Sequence, residues 1–232
     1  MQSAVHRRVA TSSLSQRTRR GGHGHDVFRR MGRRHVSELS LVVPVELKDL
    51  EKLFARAREL TGHTEFVVIG SNSVLGVPRD HEVPPRMTMS NDIASYTKND
   101  PGKVFELEPE LGQASRFELE NGFYLDPVDP LLPTLPQGWE ARLYRVELDN
   151  GVIVHFLDPN DAAISKYARC EPRDREWLQA GLGAGILSPA IIDYRMRETV
   201  FESDEERKRA VAAFEEDKSN LHAPTARRQH LT

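Results

Sequence analysis

Glu65-Phe66-Val67-Val68-Ile69-Gly70 is the stretch that leaves this chain the fewest options. It is short, rich in β-branched residues, and apolar at successive rather than alternate positions. Successive residues of a strand face opposite sides of the sheet, so such a run must be covered on both faces. Helices have to supply the cover. One precedes the run: Leu47, Leu50, Leu53, Phe54 and Leu60 recur at helical spacing, and Gly62 follows as a stop. Directly after the run, Ser71-Asn72-Ser73-Val74-Leu75-Gly76 predicts a helix or turn at the strand's carboxyl end.

The rest of the chain completes a small sheet. Pro84-Pro85 closes an irregular loop, and the alternation from Met87 to Tyr96 predicts a strand with Thr88, Ser90, Asp92, Ala94 and Tyr96 on one face. Phe123-Tyr124-Leu125-Asp126 reads as a further short strand running into a loop with Pro127, Pro130, Pro133 and Pro136. Residues 142–148 and 152–157 flank Asp149-Asn150-Gly151, a hairpin signal. The stretch from Lys103 to Phe117 has no clear period. Asp158-Pro159-Asn160-Asp161 supplies cap chemistry for a helix through 162–168. Another helix spans 173–180, with Gly181, Gly183 and Gly185 breaking it, and Ser188-Pro189 caps a short third. Ser203-Asp204-Glu205-Glu206 fits a capping box opening a helix to about Lys218. The fold class is α+β: a small mixed or antiparallel sheet flanked by helices, with a C-terminal helical region.

Charge divides the chain. Residues 1–40 hold nine arginines and no lysine against Asp26 and Glu38, so this stretch is +7 in a chain of net −3, and residues 41–232 carry −10. Its few apolar residues have no period, which predicts a disordered basic arm. Four readings fit it: a structureless leader, a nucleic-acid-binding arm, an organellar transit peptide, or an extension upstream of a true start at Met31. There is no apolar run near the ~18 residues that span a bilayer, so membrane insertion is not expected. The one cysteine, Cys170, excludes a disulfide framework and a multi-cysteine zinc site, and it reads as a small buried hydrophobe.

Two features carry chemistry. Gly70-Ser71, closing a strand, offers backbone N–H groups and a hydroxyl to phosphate. In Ser90-Asn91-Asp92-Ile93-Ala94, positions 92 and 94 share a strand face, where a pair of carboxylates would hold a divalent metal. Each feature is common alone. Together they describe a place for a nucleoside triphosphate and Mg²⁺.

Here the chain resembles the minimal nucleotidyltransferases of the polymerase-β type superfamily, in a bacterial branch associated with toxin–antitoxin and phage-defence loci. The resemblance covers about residues 45–185 and rests on five segments in order. They are Val68-Ile69-Gly70-Ser71 with Leu75-Gly76, Ser90–Tyr96, Gly122–Val128, Leu135–Leu143, and Leu157–Lys166 with Arg173-Asp174. It implies a cytoplasmic enzyme that uses Mg²⁺ or Mn²⁺ to move a nucleoside monophosphate from an NTP or dNTP to a hydroxyl acceptor. That acceptor would be a nucleic-acid end, a protein or a growing oligonucleotide. By resemblance, Asp92 and Asp126 hold metal, Gly70, Ser71, Ser90 and Lys166 meet the nucleotide, and Asp174 buttresses the site. Asp158 is a rival third carboxylate, although helix capping suits it better. The implied organisation is a basic arm at 1–40, a nucleotidyltransferase-like domain at 41–185, C-terminal helices at 186–218 and a flexible tail at 219–232. The proline-rich loop 127–136 and the acidic helix 202–217 both offer surfaces to another chain.

One departure falls on the chemistry. The second strand acid of the family lands on Ala94, which has no oxygen for a metal. Two readings follow: an Asp-to-Ala change that traps an inactive enzyme, or a degenerate member that binds or regulates, antitoxin-like, without turnover. The intact flanking motif favours the first.

Overall fold

The computed structural model describes residues 44–78 and 82–222. The expected arm at 1–40, and the expected tail from 223 on, lie outside the described residues. Helix α1 (Leu47–Thr61) opens on a capping box between Glu46 and Asp49 and ends at Gly62, whose φ is 74°. It buries Leu50, Leu53, Phe54 and Ala57 against the sheet, with the Phe54 ring stacked on Phe66 at 4.8 Å. Strand β1 (Glu65–Val68) follows, with Phe66, Val67 and Val68 wholly buried, as a run apolar on both faces requires.

A 3-10 helix spans Ser71–Gly76, and a shorter one spans Pro85–Met87. Strand β2 is Asp92–Thr97, so the strand expected from Met87 starts five residues later. The approach to it is held by other bonds. Trp177 Nε1 donates to the Met87 carbonyl (3.0 Å), Val45 N to that of Thr88 (2.9 Å), and Asn72 Nδ2 to that of Ser90 (3.0 Å). The ambiguous stretch resolves into a 3-10 segment (Pro101–Leu107), a single-turn α2 (Glu108–Leu111) and α3 (Arg116–Asn121).

Strands β3 (Tyr124–Pro127), β4 (Tyr144–Glu147) and β5 (Ile153–Phe156) complete a five-stranded sheet of order β3-β2-β1-β5-β4. It is mixed. The β1–β2 and β4–β5 pairs are antiparallel, while β1–β5 and β2–β3 are parallel. The β4–β5 hairpin closes through Leu148 N to Val152 O (2.8 Å), with Gly151 at φ 77°. No heavy atom lies within 4 Å of a Cβ built there, so the cost of a side chain is backbone strain alone. Gly151→Ala is expected to lower stability by about 1 kcal/mol in a urea titration.

Helices α4 (Pro159–Arg169), α5 (Pro172–Gly183), α6 (Pro189–Arg197) and α7 (Asp204–His222) pack together around Tyr167, Trp177, Leu178, Ile192 and Phe214. Of the glycines expected to break α5, Gly183 ends it and Gly185 follows at φ 73°, but Gly181 lies inside. The helix runs through Gly181, where any Cβ would strike Leu187 and Met87, so that glycine permits close packing. Helix α7 continues past Lys218 to His222 and lays Ala210, Ala213 and Phe214 on the other helices. Asp158 caps α4 by accepting from Asn160 N (2.8 Å), and Arg195 reaches both it (2.7 Å) and the fully buried Asp161 (2.9 Å). Arg142 bonds both oxygens of Asp161 as well, which ties the loop before β4 to α4 and α6. Ile69, Trp139 and Leu143 pack against both the sheet core and this helical core. Among the described residues no helix is long and apolar enough to cross a membrane.

Candidate active site

The site is built where β1 ends. Gly70 leaves the strand in extended conformation (φ −84°, ψ −157°), and its Cα comes so near β2 that a Cβ there would lie 2.8 Å from that of Ala94. Only glycine permits this approach without displacing the strand. Ser71 then points its hydroxyl at Lys166, whose ammonium donates to it at 2.9 Å. Lys166 is buried on α4. Its ammonium also donates to Asp174 Oδ1 (3.1 Å) and stands 4.9 Å over the Trp177 ring. Burial pulls its pKa below the ordinary lysine value, against the attraction of Asp174.

Asp174 is the hub beneath this pair. Arg169 bonds both its oxygens (2.6 and 2.7 Å), and Glu171 N donates to Oδ2 (3.3 Å) as part of the α5 capping box. Burial alone would raise its pKa, but Arg169 and Lys166 more than offset that and hold the carboxyl below the usual range.

Across the cleft, β2 and β3 present the acids. Register pairs Ala94 with Asp126 and Asp92 with Tyr124, so these four residues share one sheet face. Ser90 donates its hydroxyl to Asp92 Oδ1, and Asn72 Nδ2 donates to the Asp92 carbonyl (3.2 Å). The Asp126 pKa is raised by burial first, and then by the negative charges of Asp92 and Glu108. Two half-buried carboxylates that repel each other are a donor set that a cation would relieve. Mg²⁺ commonly takes one or two protein carboxylates and fills its shell with water and phosphate oxygens, so the pair fits one such ion. No group of three His, Cys, Asp or Glu is placed for a metal among the described residues. The methyl of Ala94 stands where a third oxygen donor would complete the set.

A cavity of about 480 Å³ joins these groups. Gly70, Ser71, Asp92, Ala94, Asp126 and Lys166 all line it, so the structure brings together most of the residues singled out in the sequence. Ser90 and Asp174 stand just behind, through Asp92 and Lys166. Asp158 is spent on its cap and Arg195, and it does not line the cavity. His155 is a buried partner of Glu65 (2.9 Å), and Cys170 is half-buried in the left-handed C-cap of α4 rather than fully enclosed.

Sequence reasoning missed the far wall. Thr134 of the proline-rich loop donates to Glu206 (3.0 Å), and Arg209 reaches the Ala168 carbonyl (2.8 Å), so α7 closes the cleft. No local pattern links residues 134 and 206. Asn72 and Arg169 were also missed, although Arg169 stands one helical turn from Lys166, a spacing that puts both on one face.

Neither curated proteins nor solved structures give a match to this chain. A family model described as "Nucleotidyltransferase of unknown function (DUF6036)" matches residues 48–222, from α1 to the end of α7. With three quarters of its length matched and the acids and lysine facing one cavity, the chain belongs to this nucleotidyltransferase family.

Proposed function

We propose that the cleft binds an NTP or dNTP with one Mg²⁺ or Mn²⁺, to move its nucleoside monophosphate onto a hydroxyl acceptor, and that Ala94 holds this transfer far below what the fold supports. The observation that carries the reading is one cavity walled by an ammonium–hydroxyl pair (Lys166, Ser71) and by two neighbouring carboxylates (Asp92, Asp126). Lys166 and Ser71 hold phosphate oxygens; Gly70 leaves room for them. A cation held by Asp92 and Asp126 would neutralise phosphate charge as it shifts toward the leaving group. In the transfer, the acceptor oxygen bonds to the α-phosphorus, the bond to the bridging oxygen breaks, and pyrophosphate leaves. The acceptor proton is released to water as the new bond forms.

Titration with fluorescent nucleotides, with and without Mg²⁺, tests the binding half. Lys166→Met is expected to weaken nucleotide affinity at least tenfold, about 1.4 kcal/mol. Equal affinity in the variant would sink the assignment. The pH profile has a defined sign. Affinity falls on the alkaline side as Lys166 loses its proton earlier than an ordinary lysine, and on the acid side as Asp126 gains one earlier than an ordinary aspartate. Asp126→Asn is expected to raise the Tm of the cation-free protein by removing repulsion with Asp92, and to abolish the Mg²⁺-dependent rise expected of the wild type.

Ala94 favours a second reading, a module that binds nucleotide without turnover. Nucleotide binding with no labelled product under any acceptor, even with Asp at 94, would establish it. A place in a bacterial defence or toxin–antitoxin pair rests on the sequence resemblance. Co-expression with the neighbouring gene product, read as growth rescue or arrest, tests that setting.

A further inference from the structure

A second cavity, about 630 Å³, adjoins the first, and Ser71, Asp92 and Arg169 line both. Arg86, Met89 and Arg173 line its remainder, with Glu176 and the first turn of α5. Most of its acids are engaged. Asp174 is taken by Arg169 and Lys166, Glu171 closes the capping box of α5, and Glu176 pairs with Arg86 at 3.0 Å. That last pair is half-exposed at both ends, so a phosphate can replace the carboxylate at little cost. Arg173 is exposed and makes no ion pair among the described residues. It acts electrostatically on Tyr124, the half-buried register partner of Asp92.

Resting on the transferase reading above, we propose that this groove seats the terminal nucleotide of a single-stranded nucleic-acid acceptor. Its phosphates lie on Arg86 and Arg173, and its terminal hydroxyl points at Asp92. The geometry of transfer requires such a room. Attacking and leaving oxygens lie roughly in line through the transferred phosphorus, so the acceptor needs a room of its own next to the triphosphate. The first cavity, with Lys166, takes the triphosphate; the second is the space left for the acceptor. Its volume is that of a small-ligand site, and its exposed arginines match phosphate. The nine arginines of residues 1–40 give the same chain a second affinity for a polyanion, independent of the groove.

The test uses the full chain and a single-stranded RNA 12-mer carrying a photoreactive 4-thiouridine at its 3′ end. Crosslinks are expected in peptides spanning 86–92, 124 or 171–177. Crosslinks confined to 1–40, or to 128–134 and 202–209, would overturn the assignment. In parallel, the affinity of the labelled RNA is followed against salt for the wild type and for Arg86→Gln/Arg173→Gln. Losing two phosphate contacts to a single strand is expected to flatten the slope of log K against log salt by about 1.4. An unchanged slope counts against the proposal. The double variant is expected to bind fluorescent nucleotide as the wild type does. Loss of nucleotide instead of RNA would show that the groove holds the triphosphate and that the acceptor assignment is wrong. If the wild type binds no nucleotide while the RNA still crosslinks at the groove, the transferase reading fails and the nucleic-acid site stands.

Discussion

Ala94→Asp is expected to raise nucleotide incorporation by at least about 100-fold, read as labelled product from radioactive NTPs with Mg²⁺ or Mn²⁺ and bulk RNA as acceptor. Position 94 sits between Asp92, on its own strand face, and Asp126, its register partner. A carboxylate there would complete a three-acid set. The substitution has room, because Ala94 lines the cavity and its tight neighbour is the bare Cα of Gly70. The added charge sits beside two acids, so the cation-free variant is expected to melt lower than the wild type and to gain more Tm from Mg²⁺. Adding Asp92→Asn to that variant should return incorporation to the wild-type level. Should Ala94→Asp melt higher with Mg²⁺ but still form no product, the cleft is a binding site and the transfer reading is wrong.

The largest stability effect is expected at Asp174. Replacing it by Ala leaves the Lys166 ammonium buried beside Arg169 with no counter-charge, which should cost about 3–5 kcal/mol. That is a large share of the ~5–15 kcal/mol that holds a domain folded, so urea midpoints or Tm should drop sharply. Because the folded state holds the Asp174 pKa below its unfolded value, the contribution is full above the unfolded pKa. It disappears as pH falls through the folded one. Replacing both members as Lys166→Met/Asp174→Leu should recover most of the stability and none of the nucleotide affinity. Recovery of both would show that Lys166 is a structural residue.

The elements with strong local physics were legible in the sequence. The doubly apolar β1, the α1 stripe ending at Gly62, the Asp149–Gly151 hairpin and the capped α4 all appear where their patterns put them. What failed was set by distant partners. Residues 87–91 alternate like a strand, but Asn72, Trp177 and Val45 take their carbonyls, so β2 waits until Asp92. Gly181 looked like a breaker and is instead a contact surface for Leu187 and Met87. At the cavity, Asp92, Asp126, Gly70-Ser71 and Lys166 lie in short motifs and were readable. The α7 wall was not, because Thr134–Glu206 joins residues far apart in the chain, with no periodic trace at either end.

Ala94 stands half-exposed on the cleft side of β2, while the strand's own packing is carried by Ile93, Ser95 and Thr97. Two of the four alanine codons become aspartate codons by one base change, and the core does not need the Ala94 side chain. On the transfer reading proposed above, catalytic power is then separable from foldedness by a single substitution at this position. A lineage carrying such a gene could silence the enzyme while keeping its ligand pocket and surfaces intact, and revive it later, with the protein remaining folded and selectable at each step.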